Sequence, residues 1–193
     1  MASVPKVLAF AGSLRRESYN KRLVRIAASA AEAAGAEVTL IDLKHYPMPI
    51  FDEDLEAASG PTEAVLALRA KMVDSDAFLI ASPEYNSSIT AVLKNTIDWV
   101  SRPGPGQPSL AGFKGKVAAI MSASPGGYGG LRGLVHLRAI LGNIGVIVLP
   151  DQLAVPRAFE AFQEDGALRD PKMQAAVEEL GRNLAGVTAR QKA

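Results

Sequence analysis

The chain has no cysteine among its 193 residues. That absence removes disulfides, thiolate-bound zinc, iron–sulfur clusters and thiol nucleophiles at once. Histidine is nearly as scarce. His45 and His136 are the only two, and they stand too far apart in sequence to form a ligand pattern. No metal site is expected. Charge of one sign is not in excess either: 21 basic residues face 20 acidic ones, for a net charge of +1. A nucleic-acid-binding domain would cluster its Lys and Arg, and no run of like charge is long enough to form a tail. No apolar run approaches the ~20 residues that a bilayer-spanning helix needs. Met1 to Lys6 lacks the basic, apolar and small-residue order of a secretion signal. The expectation is a soluble cytoplasmic protein with neither nucleic-acid nor membrane partners.

What the chain does have is core material. Hydrophobic residues make up 48% and charged residues 21%, an ordinary globular balance. The length suits one domain over residues 1–193. Apolar runs of strand length alternate with longer stretches of helical period. Strands are expected at 7–11, 37–41, 77–81, 117–121 and 146–149. Helices are expected at about 20–34, 62–74, 89–101, 130–143 and 171–186. The first helix presents Leu23, Ala27, Ala30, Ala31 and Ala34 on one face, and Gly35 stops it. The strands show no polar alternation, as a sheet covered on both sides requires. Five β-α repeats predict an α/β fold: a three-layer αβα sandwich around a five-stranded parallel sheet, order 2-1-3-4-5.

In such a sheet ligands bind beyond the carboxyl ends of the strands, near the point where strand order reverses. This singles out three loops. The first, Gly12-Ser13-Leu14-Arg15-Arg16-Glu17-Ser18-Tyr19-Asn20, offers hydroxyls, a guanidinium and the unpaired amides of a helix start, all suited to a phosphate. It lacks the Gly-Lys-Ser/Thr of a Walker loop and the glycine triplet of a dinucleotide fingerprint. A plain strand–helix turn with Ser18 as the helix cap reads this loop equally well. The second loop is Ser82-Pro83-Glu84-Tyr85-Asn86-Ser87-Ser88, with a stiffening proline and a tyrosine where no core is expected. The third, Ser122 to Gly130, carries Gly126, Gly127, Gly129 and Gly130, so backbone can approach a ligand closely. Asp52-Glu53-Asp54 reads as a solvated loop or helix start rather than a metal site. Tyr128 is either a lid or a loop aromatic. Met48, Pro49, Ile50 and Phe51 either cover core or meet a second subunit.

Together the three loops resemble the NAD(P)H-dependent FMN reductases of flavodoxin-like fold, a family that includes quinone, chromate and azo-dye reductases. Gly12-Ser13-Leu14-Arg15-x-x-Ser18-x-Asn20 is similar to the family's phosphate loop. Ser82-Pro83-Glu84-Tyr85-Asn86-x-Ser88, continuing to Leu93-Lys94-Asn95-x-Ile97-Asp98-Trp99, resembles its ring-binding segment. Ser122-x-Ser124-x-Gly126-Gly127, with Gly130-x-Arg132 and His136-Leu137-Arg138, resembles its third loop and the helix after it. Thr90-Ala91 stands where many relatives carry Pro-Gly, and Val135 where some carry tyrosine.

The resemblance implies that Ser13, Arg15, Ser18 and Asn20 bind the FMN phosphate, and that Pro83, Glu84, Tyr85 and Asn86 line the ring. It implies that Ser122, Ser124 and Gly126 close on the ribityl chain or the ring's far side. It also implies a homodimer or homotetramer and a ping-pong cycle. NADPH or NADH passes hydride to flavin N5, and a small-molecule electron acceptor (quinone, flavin, azo compound or metal anion) then takes its place. The flavin carries the chemistry, so no catalytic side chain is expected. Arg15, Arg16 and Arg102 are the candidates for the 2′-phosphate of NADPH, Arg16 being the freest. The competing reading is a flavodoxin-like electron carrier without turnover of its own. Such carriers tend to be acidic, unlike this chain.

Overall fold

The computed structural model describes residues 3–192. Five strands form one parallel sheet: β1 (Lys6–Ala11), β2 (Glu37–Asp42), β3 (Ala77–Ala81), β4 (Val117–Ala123) and β5 (Ile147–Val155). Their order is β2-β1-β3-β4-β5, as expected. Among the described residues, seven helices accompany them: α1 (Tyr19–Ala33), α2 (Glu53–Ser59), α3 (Glu63–Asp74), α4 (Ala91–Ser101), α5 (Leu131–Asn143), α6 (Ala158–Ala161) and α7 (Pro171–Gln191).

Alternate residues of a strand point to opposite faces, and this sheet separates them into two cores. Val7, Ala9 and Ala11 of β1 pack with Leu23, Ala27, Leu180 and Leu184, on the side of α1 and α7. Leu8 and Phe10 pack with Leu68, Met72, Leu93 and Leu137, on the side of α3, α4 and α5. Small residues let α1 and α7 approach closely. A Cβ placed on Gly181 would lie 2.1 Å from the carbonyl oxygen of Ala27. Ala34, expected on the buried face of the first helix, is exposed instead, because the helix is already capping there.

Strand β5 runs six residues past the expected end at Leu149. Ala118 pairs with Val148, but Ile120 pairs with Gln152. The segment between Val148 and Gln152 holds Pro150, which cannot donate to a ladder and is tolerated because β5 is an edge. Helix α7 likewise continues beyond Gly186 to Gln191. Residues 43–61, where no strand or helix is expected from the pattern, hold a 3₁₀ turn, Leu43–His45, and α2. Asp52 accepts from the amide of Asp54 at 2.8 Å, so the acidic triplet is a helix start.

Hydrogen bonds prolong the ladder past the strand ends, into the loops. The amide of Gly12 donates to Ala81 (2.9 Å), that of Ser82 to Met121 (2.9 Å), and that of Ser124 to Val155 (3.1 Å). The three loops therefore leave the sheet in register with one another.

Candidate functional site

Loop one is shaped by a close approach. A Cβ on Gly12 would lie 3.0 Å from the Leu93 side chain on α4, so glycine is what fits. Thr90 caps α4 in two directions. Its Oγ1 accepts from the amide of Leu93 at 3.3 Å and donates to the carbonyl of Gly12 at 2.7 Å. Further on, Ser13 Oγ accepts from the amide of Arg15 at 3.3 Å. Ser18 occupies the N-cap position of α1 in extended conformation, but its hydroxyl makes no cap hydrogen bond. No acidic residue stands in the first turn. The helix thus begins with unspent amide donors beside an unspent hydroxyl, a ready anion site.

Loop two is a tight turn. Tyr85 and Ser88 exchange backbone hydrogen bonds of 2.9 and 3.0 Å across Asn86 and Ser87. Both central residues have positive φ, 50° and 65°. That is the pattern of a type I′ turn, unusual without glycine. Pro83 is buried, whereas Tyr85 is 52% exposed and presents its ring to solvent. The Glu84 side chain turns to α5, where it accepts from Arg132 Nε at 2.8 Å and from the amide of Gly133 at 3.1 Å. Burial alone would raise its pKa, but these donors outweigh it and hold the carboxyl below the ordinary glutamate range.

Loop three folds over β5. Gly129 has φ 62°, and a Cβ there would meet the backbone of Val155 at 2.7 Å. Gly126 and Gly127 have no close neighbour for a Cβ other than Ser124 Oγ, 3.7 Å from that of Gly126. Ser122 is fully buried, and its hydroxyl has no hydrogen-bond partner. It points at Gly130, whose Cβ, if present, would lie 1.9 Å away.

The loops converge on a shallow cleft of about 50 Å³. From the first come Ser13, Arg15, Ser18 and Asn20; from the second Pro83, Glu84 and Tyr85; from the third Ser124. Tyr19, Ala123 and Pro125, not singled out from sequence, complete the lining. Of the other expected residues, Asn86 sits in the turn beside the cleft and Gly126 follows its Pro125 rim. Ser122 lies beneath loop three rather than in the cleft. The Arg16 side chain is 89% exposed and 3.2 Å from Glu17. Arg102 is committed elsewhere, to Glu56 at 2.8 Å and over the Phe51 ring. A roomier cavity, about 500 Å³, lies between α1 and α7. Faces of α1 and α7 and the loop residues Asp165 to Ala167 line it, not the three converging loops.

These residues fit FMN. Arg15, the Ser18 hydroxyl and the open start of α1 suit a phosphate dianion. The Tyr85 turn and the glycine-rich backbone of loop three offer a ledge and close approach for a flat ring. The orphaned Ser122 hydroxyl marks loop three as not fully satisfied by the protein alone.

Residues 5–160 match the family described as NADPH-dependent FMN reductase. The chain belongs to that family. The reductase is 40% identical to an NAD(P)H:quinone oxidoreductase of Solanum tuberosum over 181 residues, 88% of this chain and 87% of that one. It is 39% identical to an NAD(P)H-dependent FMN reductase of Pseudomonas aeruginosa over 175 residues, 90% of each. Among solved structures it resembles FerB, a flavoenzyme NAD(P)H:(acceptor) oxidoreductase from Paracoccus denitrificans. That match has TM-score 0.80 and 30% identity, covering 98% of this chain and all of the other. The reductase is therefore an FMN-dependent oxidoreductase of flavodoxin-like fold that takes electrons from NAD(P)H.

Two features of the site escaped sequence reasoning. Asn20 was expected at the phosphate, yet its carboxamide spans to the backbone of Ala123. Arg132, Gly133 and His136 on α5 all grip loop two. Arg132 and His136 stand at i and i+4, on one helix face, but that spacing names no partner in loop two.

Among the described residues, no helix is long and apolar enough to cross a membrane.

Proposed function

We propose that the cleft holds FMN with its phosphate on loop one and its ring over the Tyr85 turn, and that a quinone is the electron acceptor. Arg15, Ser13 and Ser18 bind the phosphate, with Asn20 fixing the loop's shape. The backbone of Pro83 to Asn86 and the Tyr85 ring line the flavin, and Ser124 and Gly126 close on its other side. Ser122 joins them only if loop three shifts. The observation that carries this reading is the uncapped start of α1 beside Arg15 and Ser18, in a cleft shared by all three loops.

Bound FMN supplies the redox chemistry, accepting hydride from NAD(P)H and returning electrons to the acceptor in a ping-pong cycle. The protein's part is position and electrostatics. The quinone assignment draws on the Solanum tuberosum relative and on a quinone reductase of Pseudomonas putida, 35% identical over 186 residues. Exposed Arg16 meets the 2′-phosphate of NADPH, so Arg16→Ala lowers the NADPH/NADH preference. An unchanged ratio removes Arg16 from that role.

The whole chain, 1–193, acts as one domain in the cytoplasm. It assembles as a homodimer or homotetramer. Tyr128, Leu131 and Val135 support this, exposing apolar surface at the start of α5 beside the cleft. Light scattering after size-exclusion chromatography tests it, and a monomer at micromolar concentration rules it out.

The test of function is spectroscopic. Protein purified with FMN is yellow, bleaches anaerobically with NADPH or NADH, and regains colour on adding a benzoquinone. Protein that takes up no FMN sinks the cleft reading. An FMN-loaded protein that neither nucleotide bleaches is a carrier instead.

A further inference from the structure

The turn in loop two is poorly built to stand alone. Type I′ turns favour Asn-Gly, because both central residues need positive φ. Here Asn86 is followed by Ser87, which pays for its left-handed conformation. Something outside the turn must hold it, and α5 does so at three points. Arg132 and the amide of Gly133 take the two carboxylate oxygens of Glu84 (2.8 and 3.1 Å), and His136 Nδ1 lies 2.8 Å from Ser88 Oγ. Gly133 eases this approach: a Cβ there would lie 3.2 Å from the carbonyl oxygen of Ser88, tighter than an ordinary contact.

Arg132 also faces the opposite wall. Its guanidinium carbon lies 5.5 Å from the centroid of the Tyr128 ring, on loop three. Tyr128 is 71% exposed and has glycines on both sides, so within the protomer this contact is what restrains its ring. One planar fork thus binds a carboxylate along its edge and an aromatic on its face. Lysine cannot do both.

We propose that Arg132 is a positioning residue. Through Glu84 it holds the strained turn, and through Tyr128 it holds loop three, so that both walls are set before FMN arrives. Arg132 itself does not touch the flavin. The proposal rests on the reading of the cleft as the FMN site.

The experiment compares FMN dissociation constants and the midpoint potential of the bound flavin for wild type, Arg132→Met, Arg132→Lys and Arg138→Met. Arg138 serves as the control. It lies on the same helix but pairs with Gln152 at 3.0 Å. Arg132→Met is expected to weaken FMN binding by about tenfold or more and to shift the potential. Arg132→Lys does not rescue it. Arg138→Met lowers stability but leaves both readings at wild-type values. Adding Ser87→Gly to Arg132→Met relieves the turn and restores part of the binding, the share lost through Tyr128 remaining. Wild-type affinity and potential in Arg132→Met overturn the proposal, as does an equal loss in Arg138→Met or no rescue by Ser87→Gly. Wild type that binds no FMN overturns the cleft reading too, which separates the two failures.

Discussion

The carboxamide of Asn20 exchanges two hydrogen bonds with the backbone of Ala123, donating to its carbonyl at 2.8 Å and accepting from its amide at 2.9 Å. Asn20 is the second residue of α1 and Ala123 ends β4, 103 residues later. The pair fixes the distance between loop one and loop three. Asn20→Ala leaves both backbone groups of Ala123 unpaired in a buried site, and is expected to cost about 2–4 kcal/mol. Asn20→Asp fares no better, because a carboxylate repels the carbonyl it replaces a donor to. Urea unfolding of the apoprotein reads the loss; an unchanged midpoint would show that the tie carries no load.

Ser122 and Gly130 make a second pair with opposite consequences. The Ser122 hydroxyl is buried without a partner. Ser122→Ala should therefore stabilise the apoprotein, by about 1 kcal/mol. Gly130→Ala should destabilise it, because φ is 93° and the new methyl would collide with Ser122. The double variant removes the hydroxyl but keeps the backbone strain, so it falls between the two. Thermal unfolding of all three checks the order, and a destabilised Ser122→Ala breaks the reasoning.

The contact of α1 with α7 predicts a cost far from the cleft. Gly181→Ala must push a methyl into the carbonyl of Ala27, 2.1 Å away, and one helix has to move. Overpacking of this kind costs about 1–3 kcal/mol. Since α1 follows directly on loop one, where the FMN phosphate is proposed to sit, FMN affinity should fall alongside stability. A variant with wild-type melting would mean that the helices separate freely.

Acid sensitivity should come from Asp76. Burial raises its pKa, but Lys192 and the backbone amide of Lys6, 2.8 Å away, more than offset this and lower it. A carboxyl held low in the fold stabilises it fully above its unfolded value. That stability is lost as pH falls through the folded value. Stability is therefore expected to drop below about pH 4. Asp76→Asn should be less stable at neutral pH and show a flatter acid limb. Denaturation curves between neutral and acid pH test this, and parallel limbs would count against it.

Helix and strand identity was legible because both faces of the sheet are covered and each helix has one apolar stripe. Leu68 and Met72 on α3, and Leu134, Leu137 and Leu141 on α5, are buried as their spacing predicts. Edges were less legible. Pro150 and Asp151 read as a strand end, but an edge strand absorbs them by slipping register and continues to Val155. The seven residues of α2 contain no buried position, so no periodicity could announce them. At the site, the loop residues could be placed by topology alone. Their mutual ties could not. Nothing in the local sequence of Asn20 points to Ala123, or in that of Glu84 to Arg132.

Those ties bear on redesign. Loop one is bound to α4 through Thr90 and to β4 through Asn20. Loop two is bound to α5, and loop three to the segment after β5, where the amide of Ala158 donates to Ser124 at 3.0 Å. Acceptor preference will therefore not transfer between relatives by grafting one loop. A donor loop arrives without the threonine or arginine that its own scaffold held it with, and exchange has to move each loop together with the helix that grips it.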